Sequence, residues 1–83
     1  MTSQSEIADF IKKLIAKEIG KEVTTIDDAV AFNDLGLDSV NSIFLLGDVE
    51  EHYKIDIDPL SLYNNPTVSS FTEHVYKLIN GRN

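Results

Sequence analysis

At 83 residues the chain has room for one small domain and a modest core, too little for a substrate pocket with its own catalytic apparatus. It has no cysteine, which excludes a disulfide framework and a thiolate metal site, and its net charge of −7 disfavours nucleic acid and anionic membrane as partners. No apolar run reaches the roughly 20 residues of a membrane span, and residues 1–6 lack the basic-then-apolar order of a secretory signal, so a soluble cytoplasmic protein is expected.

Ser3 to Glu6 matches a capping box, with Ser3 as N-cap and Glu6 three positions on. Ile7, Phe10, Ile11, Leu14, Ile15 and Ile19 then recur at three- and four-residue steps, the stripe of an amphipathic helix over about 4–19. Gly20 is a natural stop. Residues 21–38 form a long connection, anchored by Val23, Ile26, Phe32 and Leu35, with a turn at Asp27-Asp28-Ala29. A loop this long in so small a domain is expected to be functional or well packed. The second helix is predicted over 39–53. Its apolar residues cover a wider arc, in which Leu45, Val49 and Tyr53 form the core row and Ile43 and Leu46 flank it.

Ile55-Asp56-Ile57-Asp58 alternates but is short and runs into Pro59, so it reads as an extended linker with the isoleucines inward. A short helical turn follows at about 60–63 and is broken by Asn64-Asn65-Pro66. Thr67 caps a last helix over 68–79, with Val68, Phe71, Val75, Leu78 and Ile79 as its stripe, and 81–83 is a frayed tail. The predicted fold is all-α: a single domain over 1–83, a small bundle of three main helices and one short one, with a long loop between helices 1 and 2.

Chemistry concentrates where that loop meets the second helix, at Leu35-Gly36-Leu37-Asp38-Ser39-Val40. Asp38 suits an N-cap, because its carboxylate accepts from the free N–H groups of the first turn. Ser39 then stands at the positive end of the helix, where a phosphate on its hydroxyl would be favoured. Gly36 lets the loop turn tightly and keeps bulk away from that hydroxyl. A nucleophilic role for Ser39 needs a nearby base. His52 lies thirteen residues along the same helix, roughly 20 Å at about 1.5 Å per residue, and His74 lies on the last helix. Gly-x-Ser-x-Gly is absent, since positions 37 and 41 are Leu and Asn. An EF-hand starting at Asp34 or Asp56 fails, because Leu45 or Thr67 would stand at its twelfth position. No resident metal is expected.

Phe32 to Val40, Val49-Glu50-Glu51-His52-Tyr53 and Tyr63-Asn64-Asn65-Pro66-Thr67-Val68 together resemble the carrier proteins that bear a phosphopantetheine arm, over nearly the whole chain. The resemblance is closest to acyl carrier proteins of the polyketide-synthase type. It implies a protein that is not an enzyme. A phosphopantetheinyl transferase would move 4'-phosphopantetheine from coenzyme A onto Ser39, with Gly36, Leu37 and Asp38 forming the attachment turn. Acyl cargo would ride as a thioester and be presented to an acyltransferase, ketosynthase or other acyl-processing enzyme, the carrier acting as a monomer. Leu37-Asp38-Ser39 resembles acyl carriers more than peptidyl ones, and Asn64-Asn65-Pro66-Thr67-Val68 resembles the polyketide and peptide-synthetase types. A fatty-acid carrier, a peptidyl or aminoacyl carrier, and an acidic interaction module never modified on Ser39 are the alternatives.

Between positions 27 and 58 there are nine acids and one base, Lys54. This block is either a solvated face that keeps the protein soluble or a docking face for basic partners. On the docking reading, Val40, Phe44, Gly47, Asp48 and Glu51 would meet the partner, with Phe44 as an apolar anchor. The alternative for Phe44 is a ring in the core.

Overall fold

The computed structural model describes residues 3–81, so residues 82 and 83 of the expected tail lie outside the described residues. Among the described residues four α-helices follow one another, α1 (Gln4–Ile19), α2 (Ser39–Tyr53), α3 (Ser61–Asn64) and α4 (Val68–Asn80), with a 3-10 turn at Val23–Thr25. Among the described residues the only β pairing is one antiparallel bridge, Ala31 with Thr67.

The cap and stripe signals account for α1. Ser3 Oγ accepts from the Glu6 N–H at 3.2 Å. Ile7, Ile11 and Ile15 are completely buried, while Phe10, Leu14 and Ile19 pack on the edge of the core. Gly20 ends the helix in the left-handed region at φ 69, where the absence of Cβ removes the strain. Helix α4 opens on a reciprocal cap: Thr67 Oγ1 accepts from the Ser70 N–H, and Ser70 Oγ accepts from the Thr67 N–H. Val68, Phe71 and Val75 are completely buried, and α1 packs most extensively on this helix.

The long loop is strapped to both helices. The Lys12 ammonium pairs with the Asp28 carboxylate. The Asp28 carbonyl accepts from the Ser69 N–H at 3.0 Å, and the Phe32 N–H donates to the Pro66 carbonyl at 2.8 Å. The second of these bonds uses the carbonyl of a residue that has no N–H of its own, and the first satisfies an orphan donor of the α4 first turn. Phe32 then meets Phe71 edge to face, ring centroids 5.9 Å apart. The Asn-Pro-Thr-Val stretch therefore holds the loop that leads to Ser39.

Helix α2 buries Leu45, Leu46 and Val49. After it the chain runs extended, with Ile55 and Ile57 buried and Asp56 and Asp58 exposed. The Ile57 N–H donates to Glu50 Oε2 at 2.8 Å, so Glu50 holds the linker to the helix. Helix α3 occupies Ser61–Asn64, one residue later than the sequence suggests. Asp58 is the reason: its carboxylate accepts from the Leu60 N–H and its carbonyl from the Ser61 hydroxyl, which places the turn before Ser61. One packing expectation is overturned. Ile43 does not flank the core but is 61% exposed, because it faces the open cleft between the long loop, α2 and α3.

Candidate functional site

The turn before α2 is fixed residue by residue. Gly36 sits at φ +99, a conformation side chains rarely adopt, and a Cβ there would face Ile19 Cγ2 at 3.8 Å. Space is available; the dihedral is what requires glycine. Leu37 does not stand at the surface of the site. Its side chain is 2% exposed, so it anchors the turn from below, and its N–H donates to the Phe32 carbonyl at 3.1 Å. Asp38 Oδ1 accepts from the Asn41 N–H at 2.8 Å, and the Asp38 carbonyl accepts from the Ser42 N–H at 3.0 Å. Asp38 is thus the N-cap, and Ser39, the first residue of the helix, is exposed.

Beside Ser39 opens a cleft of about 370 Å³ between the long loop, α2 and α3. Ile43, Leu62 and Tyr63 give it apolar walls; Asn33 and Ser42 add polar atoms. Neither histidine serves the serine. His52 stacks on Phe10 of α1 with ring centroids 4.0 Å apart, at the far end of α2, and His74 belongs to α4. Among the described residues no group of three or more acids and histidines is gathered as a metal would need. The geometry offers a reachable hydroxyl at a positive helix end, next to a partly apolar cleft and without a base of its own.

The outer face of α2 carries the residues expected to meet partners. Val40 is 62% exposed and Phe44 61% exposed, which settles Phe44 as a surface ring rather than core. Gly47 has open space where a Cβ would stand. Asp48 and Glu51 are exposed, but they line a groove that also contains Lys17 of α1 and Lys54. The acidic side of α2 therefore has cations beside it that the helix sequence alone does not show. Tyr53, whose ring meets those of Phe10 and His52 edge to face, has its hydroxyl pKa raised by burial and then by the charge of Glu6. Sequence reasoning missed the exposure of Leu60 and Tyr63, 62% and 78%, of which Tyr63 lines the cleft. Their place next to Pro59 and before Asn64-Asn65-Pro66, in a helix of one turn, is the signal that bore on it.

Residues 9–75 match the protein family described as the phosphopantetheine attachment site. The chain belongs to this family. Its members are carriers and not themselves catalysts. A non-reducing polyketide synthase of Aspergillus terreus, terA, is 36% identical over 73 residues, which are 87% of this chain and 4% of the synthase. The conidial pigment polyketide synthase PfmaE of Pestalotiopsis fici is 31% identical over 71 residues, 86% of this chain and 3% of that protein. The chain thus spans only a few hundredths of the length of these relatives. Among solved structures, a free-standing peptidyl carrier protein from Acinetobacter baumannii superposes with a TM-score of 0.85 at 31% identity, covering 90% of this chain and 94% of that one. The all-α bundle is the carrier fold, and phosphopantetheine is the family's cofactor. The site fits such a group: the hydroxyl is exposed, the helix end favours a phosphate, and the cleft offers room for an arm.

Proposed function

We propose that Ser39 is the residue that carries the phosphopantetheine arm and that the chain works as an acyl carrier in polyketide assembly. The observation that carries this reading is the exposed Ser39 hydroxyl at the first position of α2, opening onto the cleft. The polyketide assignment rests on the likeness to the fungal synthases and to the Aspergillus protein in particular. When bound, the arm supplies a terminal thiol that holds an acyl group as a thioester.

The chain's own residues have separate tasks. Asp38 fixes where the helix begins, Gly36 gives the turn its direction, and Leu37 ties it to the core. The N–H groups at the start of α2 would face the phosphate of the phosphodiester, formed when a phosphopantetheinyl transferase moves the arm from coenzyme A onto Ser39 Oγ. Ile43, Leu62 and Tyr63 would shelter part of the arm or its cargo. Carrier domains of polyketide synthases interact with acyl-processing enzyme domains. Here Val40, Phe44 and Gly47 would form the apolar centre of that contact, with Asp48 and Glu51 steering basic surfaces of an acyltransferase or ketosynthase. A macromolecular handle of this kind gives each partner a high effective concentration of cargo. The working form in this reading is a cytoplasmic monomer. Among the described residues no helix is long and apolar enough to cross a membrane.

A peptidyl carrier is the second reading, favoured by the likeness to the free-standing Acinetobacter protein along most of both chains. Labelled coenzyme A, a transferase and peptide mapping test the attachment: the label belongs on the peptide containing Ser39, and a label on another serine overturns the assignment. Parallel loading with acyl and aminoacyl groups by their cognate enzymes separates the two readings.

A further inference from the structure

The first six residues of α2, 39–44, bury no side chain: Ser39, Val40, Ile43 and Phe44 are exposed, Asn41 and Ser42 half-buried. Burial begins at Leu45. The far end of α2 is packed on α1 through the Phe10–His52 stack and the edge contact of Phe10 with Tyr53 at 5.6 Å. At the near end Leu37, just before the helix, ties the turn to the core, but the first turn that presents Ser39 adds no buried side chain of its own. What it has is polar: Asn41 Nδ2 donates to Glu18 Oε2 at 3.0 Å, a hydrogen bond between residues 23 apart in sequence.

Glu18 is placed against local preference. It is the second-last residue of α1, where a carboxylate opposes the helix dipole. Asn41 has its N–H taken by Asp38, so its side chain is free to reach out of the helix rather than cap it. The neighbouring Ile19 faces Gly36 across the same junction. A residue that breaks a local rule and then bonds across to another helix suggests a gain outside its own helix. We propose that Glu18 and Asn41 are positioning residues, a polar tether that holds the first turn of α2 against the end of α1 and so presents Ser39 in one orientation to the transferase. This rests on Ser39 being the attachment residue. Without the tether the first turn would sample other orientations, and the uptake rate would fall in proportion to the competent fraction.

The test measures two things on each variant: amide hydrogen exchange along the helices, and the rate at which a transferase loads Ser39 from coenzyme A. Asn41→Ala leaves intact the backbone N–H that Asp38 caps. It and Glu18→Ala should speed exchange at residues 42–44 severalfold, leave Leu46 and Val49 protected, and lower kcat/KM for loading by roughly three- to tenfold, the scale of the net contribution of one ordinary hydrogen bond. Glu18→Gln keeps an acceptor for Asn41 and removes the charge, so it should behave as wild type. The exchanged pair Glu18→Gln with Asn41→Asp reverses donor and acceptor and should restore both readouts. Unchanged exchange and loading in Asn41→Ala would overturn the tether. So would an equal loss in Glu18→Gln, which would make the charge responsible, or a uniform rise in exchange over α1, α2 and α4, which would mean general destabilisation. If the wild type takes no arm, the carrier assignment at Ser39 fails, and exchange at 42–44 still decides the tether: a local rise supports it, none overturns it.

Discussion

Lys54 ends α2 at φ 57, the one non-glycine residue among those described that adopts the left-handed region. The cap it forms is sound, since its N–H and that of Ile55 both donate to the Glu50 carbonyl, but a side chain there is strained. Lys54→Gly should therefore stabilise the fold by about 1 kcal/mol in chemical denaturation. Thr72 presents the opposite case. Its Oγ1 is buried without a hydrogen-bond partner among the described residues, and the isosteric Thr72→Val should stabilise by about 1–2 kcal/mol. Ser39 differs from both: it is exposed and Asp38 supplies the cap, so Ser39→Ala should leave stability within about ±0.5 kcal/mol while removing the hydroxyl the arm would use.

At the scale of elements, α2 is where stability and docking diverge. Gly47 weakens the helix although open space surrounds it. Gly47→Ala should raise the stability by about 0.5–1 kcal/mol. If a partner's backbone approaches α2 there, the same change slows acylation, and measuring both on one variant separates the effects. Phe44→Ala should melt nearly as wild type, because the ring is exposed, yet weaken acylation partners at any salt concentration. Helices α1 and α4 were legible because each buries one stripe and carries its own caps. In α2 the apolar residues surround more of the helix, so the row of Leu45 and Val49 marks the core, but periodicity alone does not distinguish exposed Ile43 and Phe44 from core residues. The periodicity of apolar residues reports burial only when the exposed face is polar. The turn at Gly36, Asp38 and Ser39 was readable because caps and glycines act locally. The straps from Asp28 to Ser69 and from Phe32 to Pro66 were not, since they join residues far apart through backbone groups that every sequence possesses. Lys17 beside Asp48 and Glu51 was hidden because only the packing of α1 against α2 brings them to one groove.

For the whole molecule, a core this small makes each buried group count. Val49 is completely buried, and Val49→Ala should destabilise by about 1–3 kcal/mol, visible as a lower melting temperature. Charge acts over the same dimension in a different way. Reversing Asp48 and Glu51 to lysine should slow loading by the transferase mainly at low ionic strength, with the melt nearly unchanged. Lys17 and Lys54 already offset part of that field, so the effect should be smaller than the acid count suggests. The central claim, that Ser39 carries the arm, is tested most directly by intact mass after incubation with a phosphopantetheinyl transferase and coenzyme A. Wild type should gain the mass of one phosphopantetheine and Ser39→Ala none; an equal gain in both proteins, or no gain in wild type under conditions that load another carrier, would contradict it.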